Sequence, residues 1–334
     1  TIQDSSAAKS GTITGGNAKD GGGVYIEAYA TLEMTGGCIT GCRAEDGGGV
    51  YIDNNATLKM TGGCITDCHA SYGGGIYSYE NLYMGGTAKI EKCTSNGGSY
   101  DAIWNRERCN IYADGGTVDG TVSNLGTIMH SEGAAAETVF NGTVYNRSAG
   151  KIEAGIYKGT VENTGTITGG TFYDAVTNRK ASLSFMTEAG TISGGTFYGS
   201  IVNEGGPEQV ADSAKVAVTF NTDGGTSVAE EKVLRGQKMS KPAAPTKSGY
   251  TFTGWEDANG AYDFNTPVIA PLTLTARWEE VPSSGGNYYY HPTTDTKADD
   301  AKGSPKTADP GVALYAALSL LSLTGLTYTG RKKF

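Results

Sequence analysis

Proline is scarce in this chain, 9 of 334 residues, and histidine and tryptophan are scarcer still at 3 each. The histidines, His69, His130 and His291, stand in no metal-ligand spacing, so each is read as a solvated side chain and no metal is expected. None of the six cysteines forms a Cys-x-x-Cys pair, which argues against zinc. Cations are outnumbered, 26 Lys and Arg against 35 Asp and Glu for a formal charge of −9, and no basic face precedes the final residues. Nucleic-acid binding wants such a face and is not expected. No charged-then-apolar signal segment precedes Thr1, so the chain is read as a fragment or a mature form of an exported protein.

Glycine is what the sequence has in excess: 51 residues, roughly double average usage. No Gly-x-y period accompanies it, which excludes collagen and points to tight turns. Much of it falls in a repeat. Gly21-Gly22-Gly23-Val24-Tyr25-Ile26 returns as Gly47-Gly48-Gly49-Val50-Tyr51-Ile52 and as Gly73-Gly74-Gly75-Ile76-Tyr77, in steps of 26. Met34-Thr35-Gly36-Gly37-Cys38-Ile39 returns at the same step as Met60-Thr61-Gly62-Gly63-Cys64-Ile65. Within each unit, short alternating stretches such as Ala30-Thr31-Leu32-Glu33-Met34 send successive side chains to opposite faces, the signature of strands. Three short strands per unit and no helical period predict one turn of a right-handed parallel β-helix, stacked at about 4.8 Å per coil.

The pattern shortens after Gly115. Thr166-Ile167-Thr168-Gly169-Gly170-Thr171-Phe172-Tyr173 matches Thr191-Ile192-Ser193-Gly194-Gly195-Thr196-Phe197-Tyr198, with an earlier copy at Lys151–Tyr157. Two aromatic ladders are open from this pattern: Phe172 with Phe197, or Tyr157, Tyr173 and Tyr198. Whether this half continues the first helix or begins a second is also open. An irregular loop is expected around Trp104-Asn105-Arg106-Glu107-Arg108. The whole region resembles the Gly-rich β-helix segments of bacterial surface adhesins and, more distantly, the pectate-lyase-like superfamily. That resemblance implies a fold and leaves function open, since one solenoid carries lyases, hydrolases and adhesins alike.

Cys38 and Cys64 are register-equivalent, as are Cys42, Cys68 and Cys93, so each set forms a column. Buried free thiols are the reading taken. Disulfides between coils are the alternative, disfavoured because a coil spacing of about 4.8 Å exceeds the ~3.8 Å Cβ separation of a bridge. Polysaccharide-cleaving β-helices display carboxylates, often with calcium, on an outer sheet. Asp20 and Asp46, and Asp53 with Asn54, are candidates, but Tyr72 and Ser78 interrupt them in the next coil, and turn duty is the reading taken. No catalytic residue and no cofactor is assigned. Trp104, Arg106 and Arg108, an aromatic face beside two guanidinium groups, are the candidate ligand contacts.

From Val216 the texture changes. Val216–Gly225, Val233–Gln237, Lys247–Trp255, Tyr262-Asp263-Phe264 and Leu272–Trp278 form an ordered set that closely resembles the internalin-type B repeat, or Listeria–Bacteroides repeat. The resemblance implies a small β-grasp-like module with a core of Phe220, Tyr250, Phe252, Trp255 and Trp278, used as a spacer or interaction unit. Residues 280–303 are polar, without apolar periodicity, and read as a disordered stalk.

The final residues read Ser304-Pro305-Lys306-Thr307-Ala308, then an apolar run from Val312 to Tyr328, then Arg331-Lys332-Lys333-Phe334. As a helix, the run would span ~26 Å, enough to cross a bilayer core. Motif, apolar run and basic stub in that order resemble the cell-wall sorting signals of Gram-positive surface proteins. Ser304 and Ala308 depart from the family's Leu-Pro-x-Thr-Gly pattern. The resemblance implies that a sortase would attack the Thr307 carbonyl and join the chain to peptidoglycan, with membrane contact only before sorting.

The organisation read from the sequence is thus all-β: residues 1–205 a parallel β-helix, 206–215 a linker, 216–279 the repeat module, 280–303 the stalk and 304–334 the sorting signal with its transmembrane helix at 312–328. The expected function is a cell-wall-anchored adhesin for host or matrix glycans or glycoproteins. The alternatives are a polysaccharide lyase or hydrolase on the same scaffold, and a spacer displaying a missing N-terminal domain.

Overall fold

A computed structural model describes residues 11–96, 102–180, 189–205 and 209–282. The expected sorting motif, the apolar run, the stretch after Pro282 expected as a stalk, and His291 lie outside the described residues. Among these residues there is no α-helix, and no helix is long and apolar enough to cross a membrane.

Alternation in the repeat turns into stacked parallel strands. One sheet runs from Val24–Ile26 through Val50–Ile52, Ile76–Ser78, Ile103–Asn105, Val122–Asn124, Val144–Asn146, Val161–Asn163 and Val176–Asn178 to Ile201–Asn203. Each strand is parallel to the next and in register. A second sheet carries the long strands Thr31–Thr40, Thr57–Thr66, Asn81–Glu91 and Asn110–Asp119. The last of these pairs on its far side with two separate short strands, Thr127–Met129 and Val139–Phe140. Both halves therefore belong to one continuous parallel β-helix, which settles the question the sequence left open. The irregular loop is shorter than expected: Ile103–Asn105 is a regular strand, and only Arg106 to Cys109 forms a turn, with Arg108 at φ 66°.

Inside, Leu32, Leu58, Leu82, Ile111, Ile128, Ile152, Ile167 and Ile192 stack as one apolar column. Burial of each such side chain contributes about 1.5–3 kcal/mol. The glycine triplets serve the coil's narrow corner. Gly21, Gly47 and Gly73 take φ of 65°, 65° and 60°. A Cβ on Gly48 would sit 2.5 Å from the Gly74 carbonyl oxygen in the next coil, so no side chain fits.

The two cysteine columns have different fates. Cys42, Cys68 and Cys93 are buried free thiols donating to the carbonyls of Thr40, Thr66 and Glu91. Cys38 and Cys64, expected as thiols, form a disulfide with Cα atoms 4.6 Å apart, inside the usual bridging range. They are in-register partners at ordinary coil spacing, and it is the turning of their side chains toward each other that brings the sulfurs together. Cys109, buried, donates to the Glu107 carbonyl, and burial pushes its thiol up to about 12.

In the second half an asparagine column replaces the apolar residue of the first sheet. Asn105, Asn124, Asn146, Asn163, Asn178 and Asn203 each pass an amide hydrogen to the carbonyl oxygen of the next, at 2.8, 2.8, 2.7, 2.7 and 2.9 Å. Asn124, Asn146, Asn163 and Asn178 are wholly buried and also donate to backbone carbonyls. Beside them Phe140, Tyr157, Phe172 and Phe197 stack with centroids 5.0, 4.8 and 4.8 Å apart. Tyr157 therefore stands opposite Phe172 in the interior, while Tyr173 and Tyr198 stack outside. Burial raises the Tyr157 phenol, which donates to the Ala154 carbonyl.

Residues 215–280 form a five-stranded sheet with a central parallel pair, Lys215–Asn221 against Leu272–Glu280. Val218, Val233, Met239, Trp255, Val268 and Leu274 make its core, with Phe220, Phe252 and Trp278 packed at its edge. Tyr250 stands outside that core, its hydroxyl donating to Glu280 and Lys247 over its ring. This sheet docks on the last coil. The Ile201 amide donates to the Arg235 carbonyl at 2.8 Å, and the Gln237 side chain donates to the Ile201 carbonyl. Val210 and Ala214, in the stretch expected to link the two units, are buried against the solenoid core.

Candidate functional site

Strand alternation decides what the first sheet shows to solvent: in Ile103-Trp104-Asn105 the flanking residues point inward and Trp104 outward. Register stacks it on Tyr77, Tyr51 and Tyr25, with centroids 6.4, 5.4 and 5.0 Å apart and planes within 8°. The coil beyond Trp104 carries Ser123 at the same position, and there the ring ladder ends. Tyr72 meets the indole edge-on at 5.3 Å.

The turn after Trp104 brings the two expected arginines to the same place. The Arg106 amide donates to the Ser78 carbonyl, and the Asn105 side chain and buried Cys109 hold the turn from inside. Arg106 lays its guanidinium 4.1 Å above the Tyr79 ring. The result is a cleft of about 590 Å³ between Tyr77, Tyr79, Trp104, Arg106, Arg108 and Asn54, with Glu80 and Glu107 on its walls. All three sequence candidates line it. Tyr77 and Tyr79 were missed, although the 26-residue step of the Val-Tyr-Ile units already marked Tyr77 as part of an outward column.

Asp20, Asp46 and Asp53, read from the sequence as turn residues, do not line this cleft. Asp20, Asp46 and Tyr72 form a bridged column, and burial followed by the Asp20 charge raises Asp46. Ser78 stands opposite Ile52, and Tyr79 takes the place equivalent to Asp53, whose amide bonds Ile26 as that of Tyr79 bonds Ile52. Asp53 accepts the Tyr25 hydroxyl at 2.7 Å. That bond, with the Asn54 amide, holds Asp53 below the usual carboxylate range, and it pushes Tyr25 up to about 12.

Two histidines are not merely solvated. His69 bonds Thr94 at 2.9 Å and Asn96 at 3.0 Å in the next coil. His130 lies between Asp114 and Glu137, at 3.4 and 3.1 Å. Asp114 also borders a second groove of about 490 Å³ with Lys59, Tyr83 and Met84. Among the described residues no set of three His, Cys, Asp or Glu side chains is grouped to hold a metal.

Comparison with known proteins places residues 217–277 in the Listeria-Bacteroides repeat domain. Internalin H of Listeria monocytogenes is 34% identical over 91 residues, 26% of this chain and 16% of that protein. A protein of Evansella cellulosilytica named as a membrane protein is 32% identical over 118 residues, 34% of this chain and 17% of its own length. Another from that organism, named as a Gly-rich membrane protein, is 36% identical over 66 residues, 19% of this chain and 8% of its own. The chain thus spans less than a fifth of each of these relatives.

Proposed function

We propose that this chain is a bacterial cell-surface protein whose β-helix binds glycan in the Trp104–Arg108 cleft and whose tail is joined to the cell wall through Thr307. The observation that carries the binding role is the place where the ring ladder ends. There an indole, a second ring wall and two guanidinium groups converge on one open cleft. Aromatic walls take the apolar face of a sugar ring, and Asn54 with the cleft carboxylates suits its hydroxyls. The surface location draws support from the Listeria-Bacteroides repeat match, from the similarity to Internalin H and from the membrane-protein names of the other relatives.

Binding is tested by presenting the full chain to a glycan array, with W104A alongside. Retention of signal by wild type and its loss in W104A supports the reading, whereas an equal profile for both sends the contact elsewhere. Wall attachment is tested with Thr307→Ala, expected to move the protein from the muramidase-released fraction to the membrane fraction.

A polysaccharide-cleaving role is a second reading. It rests on Asp114, His130 and Glu137 meeting beside the second groove, since a carboxylate pair is what sugar hydrolysis requires. New reducing ends or unsaturated products, formed by wild type and lost in Asp114→Asn, are its mark.

A further inference from the structure

We infer that the cleft selects glycans carrying an oxyanion, the carboxylate of a uronate or a sulfate ester, and that Arg106 and Arg108 are the groups that read it. This rests on the proposal that the cleft binds sugar, and it adds the charge class of the ligand.

The argument starts from how the chain treats its other cations. With a formal charge of −9, carboxylates are plentiful, and most arginines in described segments are engaged. Arg179 meets Glu162 and Glu204, Arg277 meets Glu256, and Arg235 donates to the Tyr198 carbonyl. Arg147 lies over Tyr145 and donates to Ser123. Arg106 and Arg108 differ. Among the described residues neither has an ion pair or hydrogen bond through its side chain; Arg43 shares that, but only Arg106 and Arg108 line the cleft, Arg106 over the face of Tyr79.

A guanidinium stacked on a ring keeps its in-plane N–H donors available, and stacking fixes the direction in which they point. It also removes rotamer freedom that binding would otherwise have to remove. The donors have no acceptor of their own and face a cleft with an indole wall. A planar fork of this kind matches the two oxygens of a carboxylate or sulfate.

Glu80 and Glu107 share the cleft, so its formal charge is balanced and a free anion would not be drawn in from a distance. Among the described residues neither carboxylate is ion-paired to Arg106 or Arg108, so an incoming oxyanion already held by ring contacts meets donors that are not taken. This gives a conjunction: sugar ring on aromatic wall, and oxyanion on the fork. Either half alone binds weakly.

The test uses the full chain in detergent micelles and calorimetry with three probes: an oligo-uronate, the same oligomer with its carboxyls methyl-esterified, and an oligosaccharide whose only charges are sulfate esters. The acid is expected to bind about tenfold or more tighter than its ester, the scale of a charge-assisted pair. In R106Q/R108Q that ratio collapses toward one. In W104A all probes weaken together. Whichever of the uronate and the sulfated probe binds tighter identifies the oxyanion source. Equal binding of acid and ester, or a preference surviving R106Q/R108Q, overturns the inference and leaves the sugar reading intact. No binding by any probe overturns both.

Discussion

The two halves of the solenoid solve the same problem with different chemistry. Residues 24–91 coil at steps of 24 to 26 residues, close their interior with Leu, Ile and thiol columns, and carry one disulfide. Residues 103–203 run in coils separated by 19, 22, 17, 15 and 25 residues along the asparagine column, with a buried amide ladder and a stacked ring column. A short coil has less room for apolar side chains. It can instead bury amides, since each amide in the column finds a neighbour in the next coil, and only the Asn105 oxygen at the start of the ladder is left without a partner.

The sharpest way to break this contrast is Asn163→Ala. Its removal orphans the Asn146 amide and the Asn178 carbonyl oxygen in a dry interior, at about 1–3 kcal/mol each, with a cavity added. A loss of about 3–5 kcal/mol is expected in urea unfolding, concentrated by hydrogen exchange in the second half. A loss below 1 kcal/mol would show that the ladder is ornamental. Second comes the Cys38→Ser/Cys64→Ser pair. Closing a loop of 26 residues is worth about 3 kcal/mol in the chain-entropy account. Exchange protection is expected to fall around residues 31–66 and to hold around 161–203, because each coil touches only its neighbours. A uniform fall would merge the halves into one cooperative unit.

Smaller effects sharpen the surface side of the comparison. Tyr173→Ala removes one of two exposed rings, 53% and 55% accessible, and should cost about 0.5–1.5 kcal/mol, far below Phe172→Ala at about 3–5. In the first half, Asp53→Asn isolates the Tyr25 bond. Because the folded carboxyl is held low, its contribution is present above the ordinary Asp range and is lost as pH falls through the folded value. Wild type should therefore lose slightly more stability than D53N on acidification below about pH 4, and the two curves should run parallel above pH 6.

The first half was legible because its period is fixed: Gly triplets, Val-Tyr-Ile and Met-Thr-Gly-Gly-Cys recur at one step. The asparagine ladder was not, though its mark is plain once seen, a β-branched residue, any residue, then Asn, in Ile103–Asn105, Val122–Asn124 and four later copies. Uneven coil lengths hid it from a search for equal steps. The disulfide was misjudged by setting coil spacing, a backbone distance, against a Cβ separation, although Cα atoms 4.6 Å apart lie within the bridging range. Trp104, Arg106 and Arg108 were recognisable as a local cluster. Tyr79 was not, since only the coil above brings it beneath Arg106.

A stack of parallel strands has a polarity and two ends, and an end with bare amides and carbonyls is a template on which another copy of the same stack can grow. The contact of the small sheet with Ile201 bears on that hazard. The Arg235 carbonyl takes the Ile201 amide and the Gln237 side chain takes its carbonyl, so both backbone groups of Ile201 are occupied where an added strand would begin. Gly236, packed with no room for a Cβ against Ser200, lets the small sheet sit flush there. The repeat module thus doubles as a cover for the start of the last strand of this sheet, and cutting it away would bare those two groups.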